Sequence, residues 1–395
     1  MNRVVGMVAG ETSGDLLAAR VLRGLKQQDP QLQCAGIGGP AMAAEGFQAW
    51  YDMDSLAVFG YVDALKRLPG LIHTYTRVKQ KWLRNPPSVF VGIDAPDFNL
   101  RLQKRLRRAG IPTVQFVSPS IWAWRYERIH TIREAVSHML VLFPFEAELY
   151  EKEGVPVTYV GHPLADEIPL HTDSTAARTQ LGLPADARVL AVLPGSRASE
   201  IRLLGDRFLQ AVSQLQTQDP DLHLVIPVVN PARQAQLQPL LHKYRLKHCL
   251  VLDPSEAAHD TSRGTSPLAW QALQAADAAL VASGTATLEA ALFKRPMVIS
   301  YVLSPTMRRI MAWQSGQSKP LLPWVGLPNI LAREFIVPEL LQDAATPEAL
   351  AAASWKALTD SAYRASLHDR YVSLHHMLKR DTGTLAAQAI LEQTD

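Results

Sequence analysis

The chain has few cysteines and no long apolar run. Cys34 and Cys249 are the only cysteines among 395 residues, and they lie far apart. Such sparse cysteine argues against a disulfide scaffold, offers no metal-ligand spacing and is typical of a reducing compartment. No uncharged apolar run is long enough to cross a bilayer, and the N-terminus lacks the layout of a signal peptide. We therefore expect a protein on the cytosolic side of the membrane, without a metal site.

Motifs for nucleic acid and for nicotinamide cofactors are also missing. No nucleic-acid motif or aromatic stacking pattern accompanies the basic residues. Residues 10–15 (GETSGD) form a glycine-bearing turn after the first predicted strand, but the turn is not G-x-G-x-x-G. Its two carboxylates would repel the pyrophosphate of a dinucleotide. The sequence thus predicts no nucleic-acid partner and no nicotinamide cofactor at this turn.

Positive charge is concentrated in the first third of the chain. Residues 1–134 hold 18 Lys and Arg against 11 Asp and Glu, a net charge of +7, whereas the remaining residues carry −4. Much of the excess lies in residues 77–84 and 101–108. These segments are either solvated helix faces, which is the commoner case, or a surface that meets anionic lipid head groups.

A candidate anion site lies near the middle of the chain, in residues 188–201 (RVLAVLPGSRASEI). An unbroken apolar run predicts a strand buried on both faces of a parallel sheet, followed by a glycine turn and a helix start. The N–H groups and dipole of such a turn favour phosphate, and an Arg side chain adds a forked cation. Gly195, Ser196 and Arg197 are therefore candidate pyrophosphate ligands, with an ordinary capped turn as the alternative.

A second small-residue turn follows a later predicted strand, in residues 282–289 (ASGTATLE). Its N–H groups can cradle phosphate, while its acid can bind a ribose diol or simply complement the helix dipole. Two such turns in one half of the chain favour a nucleotide site more than either does alone. The candidate nucleotide ligands here are Ser283, Gly284, Thr285, Ala286, Thr287 and Glu289.

A candidate general base follows the strand predicted in residues 88–99 (SVFVGIDAPDFN). Asp94 stands at the strand's C-terminal end, where open α/β sheets bind ligands. A carboxylate there can accept a proton from a hydroxyl nucleophile, although it can equally cap the next helix. Asp97 competes for the same two roles. We favour Asp94 as the base because it is nearer the strand end.

Other residues of the first half are candidates for contact with an acceptor sugar. Carboxylates of the first turn can accept hydrogen bonds from sugar hydroxyls, or can complement a helix N-terminus instead. Two tryptophans beside a strand end can form a sugar- or acyl-contacting wall, or belong to the core. The acceptor-site candidates are Glu11, Ser13, Asp15, Asp97, Trp122 and Trp124. His162, a lone histidine, is more often structural.

Residues 56–72 are unusually apolar for a surface helix, with basic flanks and an interrupting Pro69-Gly70 pair. Such a surface can enter a membrane interface or grip acyl chains, although from composition alone a helix packed on the sheet is favoured. The candidate membrane or acyl contacts are Val58, Phe59, Val62, Leu65, Leu68, Leu71 and Ile72.

The order of predicted elements indicates an α/β fold with two domains. Strands and helices alternate through both halves, and the polar residues 166–178 separate them. We predict a Rossmann-like acceptor and membrane-facing domain in residues 1–166 and a second Rossmann-like domain, which holds the nucleotide-type site, in 167–345. Closing helices in residues 346–395 are expected to cross between domains or chains.

Six motifs, in order along the chain, make it resemble the lipid-A-disaccharide synthase family. VGIDAPDFN (91–99) and SPSIWAWR (118–125) are specific to that family, whereas LPGSRASEI (193–201) and ASGTATLE (282–289) recur in related sugar-nucleotide enzymes. VAGETSGD and GLPNILA, at residues 8–15 and 326–332, complete the set.

The resemblance implies an inverting hexosyltransferase of the GT-B architecture that acts in lipid A biosynthesis. Its donor would be UDP-2,3-diacylglucosamine and its acceptor 2,3-diacylglucosamine 1-phosphate, giving a β-1,6-linked disaccharide 1-phosphate and UDP. No cofactor is implied. Such enzymes work at the cytoplasmic face of the inner membrane, bound peripherally to its surface, and can form homodimers that exchange C-terminal segments.

The resemblance also implies residue roles. Asp94 would take the proton from the acceptor 6-hydroxyl, Arg197 and residues 283–287 would hold the pyrophosphate, and Glu289 would bind ribose. Asn329 matches a functionally important family position. One alternative is a soluble UDP-sugar enzyme, such as a UDP-N-acetylglucosamine 2-epimerase or another GT-B transferase. A non-enzymatic UDP-sugar sensor or membrane scaffold is the other.

Overall fold

The computed structural model describes residues 3–56, 61–123, 125–254, 267–305, 307–309 and 322–394. The chain divides into two compact units. Unit 1 comprises Met1–Asp166 and Met377–Asp395, and unit 2 comprises Glu167–His376. The expected tail that crosses between domains is confirmed, because the chain returns to unit 1 after His376.

Unit 1, within its described residues, holds a seven-stranded parallel sheet in the order β3-β2-β1-β4-β5-β6-β7. The order reverses direction between β1 and β4, which makes the C-terminal ends of these two strands the switch point of the sheet. The strands are β1 (Val4–Ala9), β2 (Gln33–Gly38), β3 (Gln48–Asp52), β4 (Val89–Ile93), β5 (Thr113–Phe116), β6 (His138–Val141) and β7 (Val157–Tyr159).

The described part of unit 2 holds a six-stranded parallel sheet in the order β10-β9-β8-β11-β12-β13. Its switch point lies between β8 and β11, so both predicted phosphate turns leave the sheet at that point. The strands are β8 (Val189–Leu193), β9 (His223–Pro227), β10 (Cys249–Leu252), β11 (Ala278–Ala282), β12 (Met297–Tyr301) and β13 (Glu339–Leu341).

Helices connect the strands in both units, as a parallel sheet requires. In unit 1 and across its boundary they are α1 (Thr12–Gln28), α2 (Pro40–Ala44), α3 (Tyr61–Arg84), α4 (Pro96–Arg108), α5 (Arg128–Ala135), α6 (Pro144–Lys152) and α7 (Pro163–Glu167). The next helices are α8 (Ser174–Gln180), α9 (Ala198–Gln218), α10 (Pro231–Tyr244), α11 (Leu268–Ala275), α12 (Thr285–Leu292) and α13 (Leu327–Ala332). The closing helices are α14 (Pro347–Thr359), α15 (Ser361–Leu378) and α16 (Thr382–Leu391).

The closing helices are shared between the units. Helix α14 buries Leu350 and Leu358 in the core of unit 2, whereas α16 packs on α1 of unit 1, where Gly383 lies against Gly24. The Asp166 carboxylate accepts the backbone N–H groups of residues 380–382 at 2.8–3.1 Å, which secures the start of α16. The assignment of acceptor binding to one unit and donor binding to the other stays a prediction.

Helix α3 differs from the expectation. It continues through Pro69 and Gly70, which composition had suggested as an interruption. Pro69 removes a backbone donor but does not end the helix, because α3 is held further on by the buried Trp82 and Val78. None of the described helices is both long enough and apolar enough to span a bilayer.

Candidate active site

Asp94 lies at the switch point of unit 1, directly after β4. Its backbone has φ 50°, and Ala95 has φ 37°, so two consecutive non-glycine residues occupy the left-handed region. Such conformations cost about 1–3 kcal/mol each and persist only where the surroundings enforce them. Two buried amides do so here, because Asn99 Nδ2 and Gln115 Nε2 donate to the Asp94 carbonyl at 3.0 and 3.3 Å.

The Asp94 carboxyl group points toward the glycine turn that follows β1. Its Oδ1 accepts the Gly10 N–H at 3.0 Å, whereas its Oδ2 is buried without a hydrogen-bond partner among the described residues. A Cβ atom at Gly14 would overlap Oδ2, and one at Gly10 would lie 2.6 Å from Ala95 Cβ. The two glycines of the turn therefore leave the space that this carboxyl occupies.

The surroundings bring the pKa of Asp94 close to neutral pH. Burial raises the pKa of Asp94 to about 7, an effect that the Gly10 N–H partly offsets and the Glu11 charge reinforces. A general base is most effective when its pKa lies near the working pH. Asp97 differs, since its side chain is 80% exposed and forms an ion pair with Arg128 at 2.9 Å.

The acidic turn of unit 1 divides into exposed and buried side chains. Glu11 and Ser13 are exposed at the start of α1. Asp15 is buried, and its two oxygens accept the N–H groups of Gly39, Ala41 and Met42 at 2.8–3.1 Å. The Asp15 carboxylate thus caps α2, the alternative role that the sequence left open, and its contact with an acceptor stays a prediction.

Trp122 and His162 also have partners inside unit 1. The indole N–H of Trp122 donates to the buried Glu146 at 3.0 Å, and burial raises the pKa of Glu146 to about 7. His162 accepts the Leu164 N–H at 3.2 Å, and burial lowers its pKa to about 3. Trp124 lies outside the described residues.

A cavity of about 890 Å³ adjoins the Asp94 turn, between α3 and α4. Gly10 and Ala95, on either side of the Asp94 carboxyl, line its edge, and Leu71 and Ile72 line it from α3. Of the other expected acyl contacts, Val62, Leu65 and Leu68 lie on α3 with undescribed side chains, whereas Val58 and Phe59 lie outside the described residues. The lining of the cavity also includes Glu11, Leu56, Tyr75, Thr76, Pro96, Asp97, Phe98, Arg101, Lys104, Arg105 and Arg108.

The first phosphate turn of unit 2 is capped from within. Gly195 has φ 118°, and Glu200 Oε2 accepts the N–H groups of Ser196 and Arg197 at 2.8 and 3.1 Å. The Arg197 side chain is 80% exposed, with its guanidinium 4.0 Å from Glu200. The guanidinium is therefore accessible, but two N–H groups expected to bind pyrophosphate already face a carboxylate.

The second phosphate turn is open at the same switch point. Gly284 has φ 156°, and no side chain caps α12. Gly284 and Thr285 are exposed, Ser283 and Ala286 are half-buried, and Thr287 is fully buried. The Thr287 hydroxyl donates to the Gly284 carbonyl at 2.8 Å, which closes the first turn of α12. This turn can accept an anion without displacing a side chain.

Glu289 lies in the second turn of α12, half-buried against Trp270. The indole N–H of Trp270 donates to Glu289 Oε1 at 3.1 Å. Burial raises the pKa of Glu289, and this hydrogen bond partly offsets the rise. One carboxylate oxygen has a described partner, so the group retains capacity to accept a hydroxyl.

Asn329 is held by hydrogen bonds inside the fold. It is fully buried, and its amide donates to the Val337 carbonyl and to Glu339 at 2.9 and 2.8 Å. Its Oδ1 accepts the N–H groups of Ile336 and Val337 at 2.9 and 3.0 Å. All the hydrogen-bonding capacity of Asn329 is used inside the fold, and the catalytic role that the resemblance implies for this position stays a prediction.

Asn329 instead positions the open turn. Glu339, which it holds, accepts the N–H groups of Val325 and Gly326 at 2.9 and 2.8 Å. The Leu327 N–H donates in turn to Thr287 Oγ1 at 3.4 Å. A chain of hydrogen bonds therefore links Asn329 to the first turn of α12.

Sequence reasoning missed the supporting residues Asn99, Gln115, Glu200 and Glu339. Glu200 follows Arg197 by three residues, the spacing of a capping box, which is a readable signal. Asn99 follows Asp94 by five residues in the motif VGIDAPDFN. Gln115 and Glu339 act on residues 13–21 positions away, which only the fold brings near, so no local pattern marks them. Among the described residues, no group of three or more His, Cys, Asp or Glu side chains is arranged to hold a metal ion.

Comparison with known sequences gives a match over almost the whole chain. A family model described as Lipid-A-disaccharide synthetase matches residues 5–391. The lipid-A-disaccharide synthase of Bordetella petrii is 66% identical to the chain over 394 residues, covering 99% of this chain and 98% of that protein.

Comparison with solved structures gives a likeness of fold. A UDP-N-acetylglucosamine 2-epimerase from Neisseria meningitidis, bound to UDP-GlcNAc, aligns with TM-score 0.60 and 12% identity over 99% of both chains. A glycotransferase of kitacinnamycin aligns with TM-score 0.59 and 16% identity over 99% of both chains. The predicted α/β class with two Rossmann-like domains of the GT-B type is confirmed.

Proposed function

Since the chain belongs to the lipid-A-disaccharide synthase family, a group of hexosyltransferases that form the lipid A disaccharide, we propose how it performs that reaction. The donor is UDP-2,3-diacylglucosamine and the acceptor is 2,3-diacylglucosamine 1-phosphate. The chain works as a peripheral protein at the cytoplasmic face of the inner membrane. A homodimer that exchanges C-terminal segments stays a further expectation.

Asp94 is the general base of this reaction. It removes the proton from the acceptor 6-hydroxyl while that oxygen attacks C1 of the donor sugar, on the face opposite UDP. The C1–O bond to the β-phosphate breaks, UDP leaves with the bonding electron pair, and a β-1,6 linkage forms. The single observation that carries this role is the half-buried Asp94 carboxyl, with its pKa raised to about 7 and one oxygen unpartnered among the described residues.

Unit 2 stabilises the departing UDP. The open N-terminus of α12 offers N–H groups to the pyrophosphate, and the exposed Arg197 guanidinium neutralises the charge that develops on it. Glu289 accepts a ribose hydroxyl through its remaining hydrogen-bonding capacity. Asn329 acts as a positioning residue that holds the loop beside Thr287.

The test compares Asp94→Asn with wild type and with Asp97→Asn, a matched carboxylate three residues away. In mixed micelles with both lipid substrates, wild type should form the disaccharide, and Asp94→Asn should lose about 10²–10⁴-fold in kcat with unchanged UDP affinity. Asp97→Asn should stay within about threefold of wild type, because its exposed ion pair is worth little.

Three outcomes would contradict this account. Full activity of Asp94→Asn would remove the base from this position, and a selective loss in Asp97→Asn would move it there. If folded wild type binds UDP without forming disaccharide and instead epimerises UDP-N-acetylglucosamine alone, the soluble UDP-sugar enzyme would be the better assignment.

A further inference from the structure

The charge of the residues that line the cavity between α3 and α4 differs between its two ends. At the end near Asp94 it is lined by the acids Glu11 and Asp97. At the other end four cations of α4 line it, namely Arg101, Lys104, Arg105 and Arg108. These positions follow the spacing i, i+3, i+4, i+7, so they share one face of the helix.

Two of the four cations have carboxylate partners and two do not. Lys104 and Arg108 both pair with Glu134. Arg101 and Arg105 are exposed, and neither forms an ion pair with a carboxylate in the part of the chain that the structure describes. Arg105 also donates to the Tyr75 hydroxyl, so the Arg101 guanidinium and the remaining N–H groups of Arg105 are left at the cavity for an anion.

The floor between the two ends is apolar. Ile72 is 56% exposed, an unusual state for a large aliphatic side chain beside a cavity. Leu71 lies next to it, and Tyr75 packs edge-on against Phe98 with ring centroids 5.6 Å apart. An apolar floor with a few convergent polar groups is typical of ligand sites of this size.

We propose that this cavity is the acceptor lipid site, with one acyl chain on the apolar floor and the phosphate monoester bound by Arg101 and Arg105. This inference rests on the proposed function, which supplies an acceptor that carries both groups. Along α4 the axial rise from Asp97 to Arg101 is about 6 Å and to Arg105 about 12 Å. A sugar whose 6-hydroxyl lies near Asp94 therefore has its 1-phosphate within the reach of these long side chains.

The charge pattern selects a phosphate monoester rather than a neutral sugar. Guanidinium groups bind phosphate through paired N–H donors, and two adjacent ones match its double charge. Glu11, at the opposite end, would repel the same group, which orients the acceptor with its hydroxyl toward Asp94.

The first experiment removes the two unpaired cations from the full chain in mixed micelles. Arg101→Gln with Arg105→Gln should raise the acceptor KM about tenfold or more, while kcat and the donor KM stay within about twofold. The matched control is Arg77→Gln with Arg84→Gln, because these exposed residues of α3 carry the same charge and do not line the cavity. The control should leave the acceptor KM within about twofold.

A second acceptor identifies the group that the arginines bind. The second acceptor is 2,3-diacylglucosamine, which lacks the phosphate. Removing the phosphate should lower the kcat/KM of wild type by the same factor as replacing the two arginines lowers it on the phosphorylated acceptor. The arginine variant should lose nothing further. The proposal is overturned if the arginine variant is impaired equally on both acceptors, or if the Arg77→Gln, Arg84→Gln control raises the acceptor KM as much as the arginine variant does. In either case the cations of α4 bind membrane head groups.

A third variant tests the acyl chain. Thr76 lines the cavity from α3 and is half-buried. Thr76→Phe should fill part of the floor and raise the acceptor KM severalfold for long acyl chains but little for short ones. An equal effect on both chain lengths would place the chain elsewhere.

Direct binding separates this inference from the proposed function. Calorimetry with 2,3-diacylglucosamine 1-phosphate in micelles should give binding to wild type that the arginine variant loses. Binding with that dependence but no disaccharide would refute the proposed function and keep the inference. Disaccharide formation with an unchanged arginine variant would do the reverse, and wild type that neither binds nor reacts would overturn both.

Discussion

In unit 1 the strands at the switch point end in a glycine turn and a half-buried acid, whereas in unit 2 they end in two turns rich in N–H groups. The same topology therefore presents a half-buried carboxyl in one unit and backbone N–H groups in the other, for which we propose the roles of proton acceptor and anion site. Unit 1 achieves this with strained non-glycine backbone at Asp94 and Ala95, held by Asn99 and Gln115. Unit 2 uses Gly195 and Gly284, for which positive φ costs little.

The comparison teaches where each unit must be rigid. A general base must be held in position, and in unit 1 the buried amides of Asn99 and Gln115 fix the backbone that carries the proposed base. An anion site needs only N–H groups that are free to donate. At the first phosphate turn of unit 2 the Glu200 carboxylate already accepts two of them. Substitutions that act on one switch point should therefore leave the chemistry of the other unchanged.

The largest effect is expected from Gly14→Ala, because the new Cβ would overlap Asp94 Oδ2. We expect kcat to fall about a hundredfold or more, with UDP affinity unchanged, since a displaced base loses most of its contribution. Steady-state kinetics and UDP titration measure both quantities. Gly70→Ala is the control, because its Cβ would meet nothing within 4 Å. In the Asp94→Asn background Gly14→Ala should cause no further loss, and additive losses would contradict the account.

Smaller effects are expected from replacing one buried asparagine in each unit, by Asn99→Leu in unit 1 and Asn329→Leu in unit 2. The two variants should impair different quantities. Each leaves buried partners unsatisfied, at about 1–3 kcal/mol, so both variants should melt several degrees below wild type. Asn329→Leu should weaken UDP binding about tenfold because it releases the loop beside Thr287. Asn99→Leu should lower kcat about tenfold and leave UDP binding unchanged. Equal effects of both variants on both quantities would show that the units are not chemically separate.

The smallest effect is expected from Glu200→Gln. The amide oxygen can still accept the N–H groups of Ser196 and Arg197, but the negative charge beside the turn is lost. UDP should bind about two- to fivefold more tightly, measured by calorimetry, because the anion no longer faces a carboxylate. Asp206→Asn removes a charge further along α9 and should change UDP affinity little. Weaker binding in Glu200→Gln would mean that the carboxylate shapes the turn for UDP.

The switch points were predictable from the sequence, and their supporting residues were not. Continuous apolar runs marked β1, β4, β8 and β11, and the residue types after them marked Asp94 and the two turns. The edge strands β3 and β13 were missed because one is polar and half-exposed and the other has three residues. The structural partners of Asp15 and Asn329 were not predicted. Asp15 binds backbone groups up to 27 residues away, and Asn329 binds Glu339 and backbone groups of the next loop.

The most direct test of Asp94 as the base is the pH dependence of kcat/KM for the acceptor. Burial raises the pKa of Asp94 to about 7, and only the ionised form accepts a proton. The kcat/KM of wild type should therefore rise tenfold per pH unit below about pH 7 and level off above it. The residual kcat/KM of Asp94→Asn should not show this rise. The same rise of kcat/KM with pH in both proteins, or no rise in wild type, would contradict the assignment of the base to Asp94.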